Sequence, residues 1–137
     1  MNPDDLKRRT KQFALRILKL VAALPKNLIG KTIGGQLARA GTLVGANYRA
    51  ACRARSKLEF IAKIGVVEEE ADESAFWLEL IIEAGLLKAE LVESLLIEAN
   101  ELAKIMASSR KSASESLRTN PGRKLAIGNR KSAITYC

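Results

Sequence analysis

Three groups of residues have types and spacing that could carry chemistry, and each meets an obstacle in the sequence itself. The run Gly30-Lys31-Thr32 has the form of the end of a phosphate-binding loop, in which glycine amides cradle phosphates and the lysine reaches the outermost ones. That pattern needs a glycine five residues earlier, where Pro25 stands, and a preceding strand, where this chain has helical periodicity. Glu68, Glu69, Glu70, Asp72 and Glu73 form a carboxylate run of the kind that holds paired metals in helical bundles, but such sites draw on Glu-x-x-His pairs. The chain has no histidine, which also removes the commonest general base near neutral pH. Cys52 and Cys137 show neither metal-ligand spacing nor the pattern of a disulfide framework. No catalytic residue, metal ligand or cofactor is expected, and the carboxylates are read as salt-bridge partners for Arg39 and its basic neighbours.

The chemistry left is electrostatic. Residues 1–57 hold 13 basic and 2 acidic side chains, residues 58–101 hold 2 and 12, and residues 102–137 hold 8 and 1. The acidic middle, at −10, cannot neutralise both flanks at +11 and +7, and the chain nets +8. A basic surface of this kind fits a polyanion. Arg49 and Arg53 stand four apart and so share a helical face, Arg55 and Lys57 flank the turn that follows, and Lys7, Arg8 and Lys11 lie on the first helix. These seven are the candidate nucleic-acid-binding residues. Tyr48 is the one aromatic beside them, so phosphates rather than bases are the expected contacts.

The elements that position these groups are helical. At 137 residues, 47% hydrophobic and only 4% aromatic, the chain has one domain with an aliphatic core, which favours helices over a sandwich. Leu6, Phe13, Ile17, Leu20 and Leu24 mark a first helix from about Asp4 to Leu24, with Leu15 and Leu18 widening its apolar face. Asn27 caps a second, running to about Arg55, in which Gly30, Gly34, Ala38, Gly41 and Gly45 recur every three or four positions. Each interior glycine costs about 1 kcal/mol relative to alanine, so close approach of a neighbouring helix is the expected compensation.

Ser56 followed by Glu59 has the form of a capping box and opens a third helix, with Phe60, Ile64, Val67, Ala71, Leu78 and Ile82 inward and Gly85 as its left-handed cap. Leu91, Leu95, Ala99, Leu102 and Met106 mark a fourth, from Leu87 to about Met106, after which the pattern dissolves. The fold predicted is all-α: an antiparallel up-down-up-down four-helix bundle over residues 1–111 and a basic, flexible tail over 112–137. In that tail Arg118, Arg123, Lys124, Arg130 and Lys131 could form an electrostatic arm for nucleic acid. Arg16, Lys19, Glu79 and Glu83 break every apolar run short of a membrane span, and no cleavage pattern follows the basic N-terminus, so a cytoplasmic protein is expected.

Four runs carry a family resemblance: Gln36-Leu37-x-Arg39-Ala40, Val44-Gly45-Ala46-Asn47-Tyr48-Arg49, Ala54-x-Ser56-Lys57-x-Glu59-Phe60, and Glu70-Ala71-x-Glu73-Ser74-x-x-Trp77-Leu78. Over Leu6 to Ala107 the chain resembles the bacterial four-helix proteins encoded in intervening sequences of large-subunit ribosomal RNA genes. The accessory variability determinant of diversity-generating retroelements belongs to the same wider group. The resemblance implies a non-enzymatic bundle that assembles into a ring-like homo-oligomer, a pentamer in characterised relatives. It also implies a basic surface for RNA or DNA and, in the retroelement branch, a reverse transcriptase as partner. Asn47, Glu70, Glu73 and Trp77 match its motif positions and are read as structural groups, with the third-helix carboxylates expected to hold Arg39 and Asn47. The acidic residue often found after the Asn-Tyr-Arg run is Ala50 here, which makes this face more basic.

Overall fold

The chain turns helical as soon as a cap allows it. Asn2 accepts the Asp5 amide at 2.8 Å and donates its own amide to the Asp5 carboxylate, so a capping box and Pro3 open α1, Pro3–Ala22. The computed structural model describes residues 1–119 and comprises three further helices: α2, Leu28–Cys52, α3, Lys57–Glu83, and α4, Ala89–Thr119. Among the described residues there is no strand, and none of the helices is long and apolar enough to cross a membrane. Asn27 caps α2 through the Gly30 amide at 2.9 Å, as its position suggests. Gly85, at φ 68°, ends α3 in the left-handed conformation that glycine adopts without cost.

Each helix packs on the next, and α1 returns to α4 by a narrower seam. The glycine face of α2 meets α1. Cβ positions built on Gly34, Gly41 and Gly45 fall against Val21 and Leu24, Ile17, and the Thr10 backbone in turn. Partner numbers fall as α2 numbers rise, so these two helices run in opposite directions. Phe13, Ile17, Leu37, Val44, Phe60, Ile64, Val67, Leu78, Leu102 and Met106 form one aliphatic core, as the periodicity requires.

Four expectations are corrected by the structure. Leu91 is 60% exposed and Val92 takes the core position, because the inward stripe of α4 runs through residues 92, 95, 99, 102 and 106. Ile81 is buried in α3 where Ile82 was expected, and Ile82 packs at the margin of the core. The fourth helix does not stop near Met106. It runs on to Thr119, with Ala113 buried, Arg110 bonded to Glu68, and Lys57 bonded to Ser116 at 2.9 Å. Residues 112–119 of the expected tail are therefore helix, while 120–137, with Arg123, Lys124, Arg130 and Lys131, lie outside the described residues. Cys52 is buried and is not a free thiol, which corrects the expectation that the cysteines carry no disulfide framework; Cys137 lies outside the described residues.

Candidate nucleic-acid interface

The basic site begins with a backbone contact. Gly45 has no side chain, so α2 rests on the backbone of Thr10, whose hydroxyl turns back to the Leu6 carbonyl at 2.8 Å. One and two turns beyond Gly45 come Arg49 and Arg53, and on either side of Thr10 come Lys7 and Lys11. Lys7, Arg8, Lys11, Arg49 and Arg53 line one surface groove of roughly 250 Å³ between the start of α1 and the end of α2. Five of the seven predicted residues are thus brought together by two helices rather than by the hairpin corner.

Only Arg8 in this group has an anionic partner among the described residues, the half-buried Asp5 one turn earlier. Lys7, Lys11, Arg49 and Arg53 have none there. Arg9, in the same run, is occupied: it grips Glu98 of α4 at 2.7 and 2.8 Å, and this bond raises the pKa of its guanidinium. Tyr48 is 2% exposed, and burial, with the charge of Asp4, pushes its phenol up to about 12. It is neutral and unavailable for stacking, so the groove presents charge alone.

The other two predicted residues fall outside the groove. Arg55 is exposed, and its amide donates to Glu59 at 3.2 Å. Lys57 is held by Ser116 of α4. The cap between them differs from the expected box in one bond: Ser56 accepts the Glu59 amide at 3.1 Å, but Glu59 reaches back past Ser56 to the amide of Arg55.

The family-matched polar residues form a separate clamp halfway along the bundle. Arg39 of α2 pairs with Glu73 at 2.9 Å and Glu70 at 3.6 Å, and the Trp77 indole donates to Glu73 at 3.1 Å. Trp77 also meets Phe76 edge to face, with ring centroids 5.1 Å apart. Glu70 is largely buried and one of its carboxylate oxygens has no partner. Burial raises its pKa, opposed by Arg39 and reinforced by Glu73. Asn47 is not held by α3: its amide donates to the Leu43 carbonyl of its own helix at 2.9 Å, the local alternative open to a short amide. No group of acidic and cysteine side chains among the described residues has the arrangement of a metal site.

These features define a class: a four-helix bundle with an ion-pair clamp at its waist and, near one end, a cationic groove that the described residues leave uncompensated. The chain belongs to the 23S rRNA-intervening sequence protein family, whose profile it matches over residues 5–108. It is similar to a protein of unknown function from the S23 ribosomal protein family of Bacteroides thetaiotaomicron, known as a crystal structure. The two are 34% identical, with a TM-score of 0.73 over 77% of this chain and 98% of that one. No curated protein matches the chain.

Proposed function

We propose that this protein is a non-enzymatic, self-associating bundle that binds the phosphate backbone of RNA or DNA through the groove between α1 and α2. The observation that carries this reading is the convergence of Lys7, Arg8, Lys11, Arg49 and Arg53 on one concavity, with four of the five lacking an anionic partner among the described residues. Cations without acidic partners repel one another, and a polyanion relieves that repulsion while releasing its own counterions. With Tyr48 buried the described residues offer the groove no stacking platform, so affinity for backbone without base preference follows.

Self-association, to a pentameric ring on the family pattern, is supported by apolar side chains that the single chain leaves uncovered. Leu15 and Leu18 of α1 and Leu91 and Ile97 of α4 are 44% to 63% exposed. A protein partner such as a reverse transcriptase is the alternative occupant of such a surface. The reading takes the protein to be cytoplasmic. Fluorescence anisotropy with labelled RNA and DNA tests the binding claim. Arg49→Glu with Arg53→Glu should abolish binding, and Lys26→Glu with Lys88→Glu, outside the groove, should leave it intact. Equal losses from the two pairs would refute the groove as the site.

A further inference from the structure

The groove is shaped and charged for more than a passing strand. Its side chains form two rungs: Lys7 with Lys11, four residues apart in α1 and so about 5–6 Å apart between Cβ atoms, and Arg49 in the last turn of α2 with Arg53, the residue that caps its C-terminal end. All four side chains border one concavity of roughly 250 Å³, no carboxylate lines it, and none of the four is paired among the described residues. An internal phosphodiester brings one negative charge, and successive ones are spaced along the strand. One or two of them over the concavity leave cations uncompensated. A run of phosphates joined directly to one another brings a charge on each inner group and nearly two on the last, concentrated in the space of one such pocket.

We propose that the groove is a seat for vicinal phosphates, the chemistry shared by the 5′-triphosphate end of an RNA strand and by free polyphosphate. This rests on the backbone-binding reading above and assigns the groove its preferred ligand. Arginine supplies planar forks that donate to two oxygens at once and lysine supplies mobile point charges, so a cluster of equivalent oxygens can be met from both walls. Among the described residues the lining holds no carboxylate to chelate magnesium and no aromatic ring to read a base. The ligand is therefore recognised by its phosphates and neutralised by the protein itself.

The test uses the full chain and one RNA oligonucleotide with a 5′-triphosphate, 5′-monophosphate or 5′-hydroxyl end, in magnesium-free buffer, with inorganic tripolyphosphate as competitor. The triphosphate strand should bind at least about tenfold more tightly than the hydroxyl strand, the effect of one further charge-assisted contact. Tripolyphosphate should displace it, and Arg49→Gln with Arg53→Gln should erase the preference without altering the thermal midpoint. Displacement by tripolyphosphate with no preference among strand ends would support the seat and identify free polyphosphate as its source. Equal binding of the three strands, lowered together by the double variant and unaffected by tripolyphosphate, would overturn this inference and leave backbone binding standing. No binding by any strand or by tripolyphosphate would overturn both.

Discussion

Two identical substitutions on α2 should move stability in opposite directions. A Cβ built at Gly41 lies 2.8 Å from Cγ2 and 2.9 Å from Cγ1 of Ile17, whereas one built at Gly35 meets nothing within 4 Å. Alanine in place of a helical glycine gains about 1 kcal/mol of propensity. At Gly35, which is exposed, that gain is kept. At Gly41 it is set against overpacking, which costs about 1–3 kcal/mol, and Ile17 cannot yield cheaply because it is fully buried and branched at Cβ. The net is a loss of about 1 kcal/mol at Gly41 and a gain of about 1 kcal/mol at Gly35. A domain of this size moves by about 4 °C per kcal/mol, so the two variants should melt roughly 8 °C apart in a circular-dichroism scan. Gly41→Ala melting at or above the parent protein would refute close α1–α2 approach as the reason for the glycine stripe.

Other outcomes follow from particular contacts. Ser56→Ala should cost about 1 kcal/mol in urea unfolding by removing the acceptor for the Glu59 amide. Glu98→Ala breaks the bidentate bond to Arg9, where both side chains are about four-fifths buried, and should cost about 1–2 kcal/mol while loosening α1 from α4. Glu70, with its pKa raised by burial, binds its proton more tightly folded than unfolded. It therefore destabilises the fold as pH rises from the ordinary carboxylate range through its raised value, and Glu70→Gln should flatten that part of the stability profile. Denaturant titrations from pH 4 to 7 check this, and an unchanged slope would contradict it.

The residues that could be read in advance were those whose environment is set by their own helix. Apolar spacing located most of the core of every helix, Asn27 and Gly85 marked ends through local backbone demands, and the glycine run announced a close neighbour. Leu91 and Val92 are adjacent and equally apolar, so only the packing angle of α4 could separate them. The stretch of α4 after Met106 is polar because it lies there against α3 through Arg110 and Ser116, with Ala113 as the one buried residue between 107 and 119. A thin stripe of that kind has too little periodicity to extend a helix on paper. Asn47 solved its hydrogen bonding within its own turn, a choice its residue type permits but does not dictate. For the groove, the sequence named the right cations but grouped Arg49 and Arg53 with Arg55 and Lys57. The Gly45–Thr10 contact, a tertiary fact, joins them instead to Lys7 and Lys11.

The central claim is that four cations of one groove, unpaired among the described residues, meet phosphates, and the salt dependence of affinity counts such contacts. For a single-stranded oligonucleotide, log K against log salt concentration should fall with a slope of about −3 for the parent protein, and about −1.4 after Arg49→Gln with Arg53→Gln. A slope unchanged by removing both arginines would contradict the account.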